Sequence, residues 1–253
     1  MNAETMKVKT KSQTIDRAFL ILDELVEGEK DITTLAKNCD LTYSTAYRII
    51  NFLYEKNYLK KSDDKKFKLG SKLIQLGFSA YESTNLVKSA RAYLEALCEK
   101  TQDTVHLAVK ESREVVYLDK ITGKRSVNIS SIIGGRKKLH NTGVGKALLL
   151  LKNQQELVEI FRSEGGDLKL EKTFIDGMRE YAKQGYALDL GEDSSNIRCV
   201  AAPIFSKKDY IIAAISVSSA VEYMSDKRLL ELVETVKQTA KDISFEVYGY
   251  SQN

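Results

Sequence analysis

The sequence lacks the features on which membrane, secreted and metal-binding proteins depend. Its three cysteines, Cys39, Cys98 and Cys199, have neither the spacing of a zinc site nor the density of a disulfide framework. No apolar run approaches the ~20 residues that span a bilayer. The apolar stretch 19–22 is followed directly by two acidic residues, so it is too short to be the apolar region of a signal peptide. The P-loop and dinucleotide-binding fingerprints are also missing. We therefore expect a cytoplasmic protein that binds no metal, no cofactor and no membrane.

Net charge is also small, but it is unevenly distributed. A value of +4 over 253 residues does not by itself indicate a nucleic-acid partner. Between Lys37 and Lys72, however, nine basic residues stand against four acidic ones, and the rest of the chain is one charge negative. Such a block is usually only a solvated surface, so its meaning depends on the motif beside it. With 43% hydrophobic residues, the chain suits one large domain or two ordinary ones.

Three helices are predicted in the first sixty residues. Apolar residues at helical spacing indicate a first helix that ends near Gly28, and a short second helix has Ile32 and Leu35 facing inward. Thr42 is placed to cap a third helix. The apolar stripe of this third helix consists of Ala46, Ile49, Ile50 and Leu53.

The third helix has a polar outer face that suits base recognition. Hydroxyl, amide and guanidinium groups point away from its apolar stripe, as they do on the second helix of a helix-turn-helix. We predict that its DNA-binding residues are Thr42, Tyr43, Ser44, Thr45, Tyr47, Arg48 and Asn51.

A lysine-rich turn and an alternating segment follow the third helix. They predict a basic hairpin, the wing of a winged helix-turn-helix, in which Lys65 and Lys66 contact DNA phosphates. The alternative from the residues alone is a small helical domain whose polar faces meet only water.

The remaining sequence, from Leu86 onward, predicts strands with flanking helices. This pattern is typical of an α+β domain. One helix is predicted over residues 146–151, after a glycine-rich turn, and Pro203 predicts a sheet edge or a bulge because it has no N–H for the ladder. The predicted strands are Val105–Val109, Val115–Leu118, Val127–Ile129, Tyr186–Asp189, Arg198–Phe205 and Tyr210–Ser218.

An ordered series of short motifs resembles the IclR family of bacterial transcriptional regulators. The motifs cover nearly the whole chain, and their succession is far more specific than any one of them. They are Arg17-Ala18-Phe19, Leu35-Ala36, Ser44-Thr45, Phe67-Lys68-Leu69-Gly70, Gly143-Val144-Gly145-Lys146-Ala147, Gly185-Tyr186 and Cys199-Val200-Ala201-Ala202-Pro203-Ile204.

The resemblance implies a fold, a function and partners. The expected fold has a winged helix-turn-helix over residues 1–70, a linker helix over 71–84 and a GAF-like effector-binding and oligomerisation domain over 85–253. The implied function is sequence-specific regulation, more often repression, of a carbon-catabolic operon. The implied partners are double-stranded DNA with a palindromic operator, a small carboxylate effector, and further copies of the chain in a homodimer or a dimer of dimers.

The resemblance also implies an effector pocket. Its residues would be Gly143, Val144, Asp189, Cys199, Ser216 and Ser218. Independently of the resemblance, the two serines share one face of a strand because side chains alternate with a period of two. Two positions depart from the family pattern: Asn196 stands where glycine is usual, and Val144 stands where alanine is common, which would narrow the pocket.

Two other functions compete with the regulator. A thiol enzyme would use Cys199 as a nucleophile, and it would need a base beside the sulfur, with only His106 and His140 available as histidines. No convergent acid–base pair supports that reading, so we expect no enzyme and no catalytic residue. A ligand-independent DNA-binding oligomer is the second alternative.

Overall fold

The computed structural model describes residues 13–62, 64–82, 85–127, 129–207 and 210–249. Contacts divide the chain into two compact units, Met1–Ser83 and Thr84–Asn253, which are described separately. Within these ranges, no helix combines the length and the apolar character that crossing a bilayer requires.

The first unit is a winged helix-turn-helix, as predicted. Asp31 caps the second helix by accepting from the Thr34 N–H, and Thr42 caps the third by accepting from the Thr45 N–H, so the predicted Thr42 cap is confirmed. The elements are α1 (Gln13–Glu24), α2 (Ile32–Asn38), α3 (Tyr43–Glu55), β1 (Leu59–Lys61), β2 (Phe67–Leu69) and α4 (Ser71–Glu82).

One apolar core holds the three helices and the hairpin together. Ile21 of α1, Leu35 of α2 and Ile50 of α3 are fully buried, and Phe67 of β2 joins them. Strands β1 and β2 pair antiparallel. The hairpin is therefore fixed to the helices through its apolar positions, which leaves the alternate lysines in solvent.

The second unit is an α+β domain built on one antiparallel six-stranded sheet, with the strand order β5-β4-β3-β8-β7-β6. Its first elements are α5 (Asn85–Thr101), β3 (Thr104–Glu111), β4 (Glu114–Ile121), β5 (Arg136–Lys137), α6 (Gly143–Leu148) and α7 (Gln154–Ser163). The remaining elements are α8 (Glu171–Gln184), β6 (Ala187–Asp189), β7 (Ile197–Lys207), β8 (Tyr210–Ala220) and α9 (Asp226–Tyr248).

The predicted strand Val127–Ile129 is wrong. Residues 127 and 129 lie outside any strand, and residue 128 lies outside the described ranges. The Lys120 ammonium donates to the carbonyl oxygens of Ile129 and Ser131, at 2.7 Å each. A side chain therefore satisfies the backbone groups that a neighbouring strand would otherwise bind.

Two further predictions about local structure have different outcomes. The helix predicted over 146–151 runs instead over Gly143–Leu148, because Thr142 caps it by accepting from the Gly145 N–H, so both Gly143 and Gly145 lie inside α6 and residues 149–151 lie outside it. The prediction for Pro203 is confirmed. The pairing of β6 with β7 stops at Ala201, so Pro203 has a ladder partner on the β8 side alone, and the register shifts just after Ile204.

Candidate functional site

The outer face of α3 presents aromatic, hydroxyl and guanidinium groups to solvent. Tyr43, Tyr47 and Arg48 are exposed, and the two tyrosine rings stack with their centroids 6.3 Å apart. Thr45 and Asn51 are half-buried at the flanks of this face. The predicted DNA-binding residues of α3 therefore form one continuous surface, in which Ser44 is also exposed and the Thr42 hydroxyl is engaged in the helix cap.

The hairpin carries more exposed lysines than the two that were predicted to bind phosphate. Lys65 is exposed at the turn, with a φ of 58°, whereas Lys66 is half-buried. Lys60 and Lys68 lie directly opposite each other on β1 and β2, and both are exposed. This pair is not among the predicted phosphate contacts, although Lys60 and Lys68 each follow a buried residue, Leu59 and Phe67, in the period-two pattern of a strand.

In the second unit, all six predicted effector residues line one cavity. We call it the sheet cavity, and it encloses about 80 Å³. On this measure a water molecule needs ~10–15 Å³, so the cavity suits a small polar ligand. The predicted residues that line it are Gly143, Val144, Asp189, Cys199, Ser216 and Ser218.

Strand register brings these distant residues together. Asp189 on β6 pairs with Cys199 on β7, and Cys199 pairs with Ser218 on β8, so the three form one row across the sheet. Gly143, at the start of α6, lies against Cys199, where any Cβ atom would overlap the sulfur. The absence of a side chain at Gly143 is therefore what lets α6 pack on this row.

A histidine that the sequence analysis did not place in the site also lines the cavity. His106 on β3 pairs with Ser216 on β8, and its ring nitrogens lie 2.7 Å from the Ser131 hydroxyl and 3.4 Å from the Ser216 hydroxyl. Burial, with a smaller effect of the Lys120 charge, lowers the pKa of His106 to about 3. The ring is therefore neutral at physiological pH, and it supplies one donor and one acceptor. Only the register could have revealed it, because β3 and β8 are more than a hundred residues apart.

Asp189 is a buried carboxyl group with shifted titration. Its Oδ1 accepts from the N–H groups of Gly191 and Glu192, at 2.9 and 2.8 Å. Burial, together with a side-chain hydrogen bond to the Glu192 carboxylate, raises the pKa of Asp189 to about 7. Burial works to raise the pKa of Glu192 as well, but the hydrogen bond from Asp189 and the ammonium of Lys146 lower it overall. At neutral pH, Asp189 therefore exists in both charged and neutral forms.

Cys199 has the environment of a structural thiol. It is buried, and burial raises the pKa of its thiol, with the negative charge of Asp189 adding to the effect. A protonated thiol is a poor nucleophile, because the thiolate is the reactive form.

Within the described ranges, no three His, Cys, Asp or Glu side chains are close enough together to hold a metal ion.

Comparisons with known proteins cover both units of the chain. The family model of the IclR helix-turn-helix domain matches residues 14–63, and that of the bacterial transcriptional regulator IclR C-terminal domain matches residues 78–245. The chain is 30% identical over 241 residues to the Escherichia coli HTH-type transcriptional regulator XynR, covering 92% of this chain and 96% of XynR. It is 25% identical over 248 residues to the E. coli transcriptional repressor IclR, covering 94% and 90% of the two chains. The crystal structure of the Thermotoga maritima IclR superposes with a TM-score of 0.75 at 29% identity, covering 94% and 99%.

Proposed function

This chain belongs to the IclR family of bacterial transcriptional regulators, and we propose that it represses transcription until a small carboxylate occupies the sheet cavity. The observation that carries the proposal is the convergence of Ser216, Ser218, Asp189 and a neutral His106 on one small cavity. Regulation then requires that the protein has two states with different affinities for DNA. Ligand binding must shift the equilibrium between these two states.

The first unit supplies the DNA-binding surface in this proposal. The exposed face of α3 would read base edges in the major groove, and the hairpin lysines would hold phosphates beside it. One winged helix covers a half-site, so a palindromic operator calls for at least a dimer. Phe19 of α1 and Ile74 of α4 are exposed apolar side chains, which is consistent with a further copy of the chain covering them.

The second unit supplies the ligand site. The hydroxyls of Ser216 and Ser218 donate to an oxygen in the cavity, whereas the ammonium of Lys137 on its lining is paired at 3.0 Å with the carboxylate of Asp193, which lines it too. These groups suit a carboxylate of few carbon atoms. The neutral form of Asp189 removes a repulsive charge, and its charged form accepts from a ligand hydroxyl, so we expect a hydroxy or sugar acid to bind better than a plain acid.

The proposals of repression and of a role in carbon catabolism are based on relatives of this chain. One relative is named as a transcriptional repressor, and the resemblance to the family implies small organic acids as effectors. A DNA partner also supports a cytoplasmic location for the protein.

The proposal is tested in two steps. First, DNA fragments that the protein retains from its own genome identify an operator, which gel shifts confirm. Second, a thermal-shift screen of keto, hydroxy and sugar acids is run on wild type, Ser216→Ala and Ser218→Ala. We expect one acid to stabilise the wild type, to lose its effect in both variants, and to change operator affinity by about 5–150-fold.

Three outcomes decide against parts of the proposal. If only an uncharged compound stabilises the wild type, the carboxylate assignment is wrong. If an acid stabilises the serine variants as well as the wild type, the site lies elsewhere. If regulation in cells persists unchanged in both variants, the second unit acts as a ligand-independent oligomerisation module. The thiol enzyme finds no support in the protonated, buried Cys199.

A further inference from the structure

A second, larger cavity lies among the helices of the second unit. We call it the helix cavity; it encloses about 470 Å³ and shares no lining residue with the sheet cavity. Its walls come from α6, α7 and α8, from the connection between α7 and α8, and from the residues before α6 and after β6. Nothing in the proposed regulatory cycle uses it.

The helix cavity has one apolar wall to which aromatic rings contribute. Phe161 and Phe174 stack with their ring centroids 4.9 Å apart, and Met178 lies on the same lining. Leu170 and Leu190, also on the lining, are 57% and 49% exposed. Exposed apolar side chains around a concave apolar site are typical of a ligand-binding pocket.

Lys146 and Glu192, two charged groups of the lining, are paired with each other, and a third, Asp167, is an exposed carboxylate that accepts from the Lys169 N–H at 3.0 Å. Lys146 is buried, and its ammonium donates to the Leu188 carbonyl at 2.7 Å and to the Glu192 carboxylate at 2.5 Å. His140 is bound to the Glu164 carboxylate at 2.7 Å. A charged ligand would have to compete with these pairs, so the lining favours an uncharged one.

One polar atom of the lining lacks a partner. The side-chain oxygen of Asn141 is shielded from solvent and accepts no hydrogen bond from the residues that the structure describes. A buried acceptor without a partner is costly, so a ligand that donates to it gains more than one hydrogen bond usually provides.

Gly177 keeps space open inside the cavity. It lies in the middle of α8, where glycine is the poorest helix former after proline, and a Cβ atom built on it would meet nothing within 4 Å. Packing inside α8 therefore does not require a glycine at this position. A longer side chain there would extend into the space that a ligand would fill.

From these observations we propose that the helix cavity binds a small uncharged aromatic compound that carries one hydroxyl or amino group. The ring packs against Phe161, Phe174 and Met178, and the Asn141 side chain turns so that its shielded oxygen accepts the hydroxyl or amino hydrogen. This site is separate from the carboxylate site, and the test of it does not depend on whether the proposed function is correct.

The test uses phenol and toluene as probes on the full chain, without DNA. Of the four methionines, Met178 lines the cavity and Met224 is buried elsewhere, so the methyl signals of labelled methionine distinguish the site from the rest of the protein. Phenol should shift the Met178 signal saturably and leave the Met224 signal in place. Gly177→Leu should weaken phenol binding at least tenfold, whereas the matched Gly177→Ala variant should bind within about twofold of wild type.

Asn141→Leu tests the hydrogen bond and does not depend on whether Gly177→Leu folds. The ratio of phenol affinity to toluene affinity cancels the general apolar contribution to binding. In Asn141→Leu this ratio should fall about fivefold relative to wild type. Two results would overturn the proposal: no saturable shift of Met178 in the wild type, or phenol binding that Gly177→Leu leaves intact in a folded protein. An unchanged preference in Asn141→Leu would overturn the donor requirement and, with it, the stated ligand class.

Discussion

Gly143 lies so close to Cys199 that a Cβ atom at position 143 would overlap the cysteine sulfur. The same Cβ would stand 3.6 Å from the Cβ atoms of Ala201 and Asp189, which is ordinary contact. The conflict is therefore confined to one side chain. This pair fixes the distance between α6 and the sheet, and hence the width of the sheet cavity.

Gly143→Ala should destabilise the protein because of this overlap. Overpacking of a core costs ~1–3 kcal/mol, partly offset by up to ~1 kcal/mol from better helix propensity. Adding Cys199→Ala should restore much of the loss, so the double mutant should be more stable than the sum of the single effects by ~1 kcal/mol or more. Denaturant unfolding of all four proteins measures this coupling. Gly177→Ala is the matched control, because its Cβ meets open space and should be neutral or stabilising.

The sequence predicted most elements whose signals are local. Period-two and helical patterns, with the Thr42 cap, predicted the winged helix-turn-helix, and they also predicted that Ser216 and Ser218 share a strand face. The row formed by Asp189, Cys199 and Ser218 follows from strand register, which composition and spacing do not encode. The resemblance to a family supplied these residues, whereas neither source supplied His106.

The false strand at 127–129 has a related cause. A three-residue alternation is too short to separate a strand from a loop that is held by side chains, and here the Lys120 ammonium takes the carbonyl groups. Likewise, glycines at 143 and 145 favour a turn by local rules, yet close packing on the sheet and the Thr142 cap place them inside α6. Tertiary contacts overrode local preference at both places.

Arg48→Ala should reduce sequence discrimination. Arg48 is exposed on the outer face of α3, and an arginine that contacts a guanine contributes ~1–3 kcal/mol against the wrong base. We expect a loss of that size on the operator and a much smaller loss on random DNA. Gel shifts on both DNAs measure it, and equal losses on both would remove Arg48 from the base-reading residues.

Unlike Arg48→Ala, alanine substitutions at the lysines of the hairpin should weaken binding to operator and random DNA equally. Lys65→Ala and Lys66→Ala should weaken binding to all DNA alike and flatten the salt dependence by about one unit of slope per lost phosphate contact. Lys60→Ala and Lys68→Ala extend the test to the opposed pair on β1 and β2. Because Lys66 is half-buried, we expect Lys65→Ala to have the larger effect of the first two. A salt slope that none of the four variants changes would exclude the hairpin from the DNA contact.

His106 should remain neutral in the folded protein through the whole range from pH 5 to pH 8. Burial lowers its pKa to about 3, so its ring proton resonances should not move over this range, while both histidines of the protein unfolded in urea should titrate near ~6.5. Since the folded pKa lies below the unfolded one, protonation favours the unfolded state. The contribution of His106 to stability is therefore lost as pH falls below ~6.5. A folded-state resonance of His106 that titrates near pH 6 would contradict this.

Asp189 should make the stability of the folded protein depend on pH between about 3.8 and 7. Its folded pKa of about 7 lies above the ordinary value of 3.8, so the folded state holds a proton that the unfolded state releases between these two pH values. Its contribution to stability is thus fully present below pH 3.8 and is lost as pH rises through about 7, with a slope of at most ~1.4 kcal/mol per unit. Asp189→Asn keeps a donor toward Glu192 and should remove this dependence from denaturant unfolding.

The same titration governs the acid proposed for the sheet cavity. Above pH 7 the carboxylate of Asp189 repels an anionic ligand, so the affinity of the acid identified by the screen should fall as pH rises from 6 to 8, by at most ~10-fold per unit. In Asp189→Asn the affinity should stay level, since the amide has no charge to gain. Calorimetric titrations of both proteins at pH 6, 7 and 8 make the comparison. An equal slope in the two proteins would mean that another group controls the binding. A rise of affinity with pH would mean that the hydrogen bond from a ligand hydroxyl to the charged form of Asp189 outweighs the repulsion between the two carboxylates.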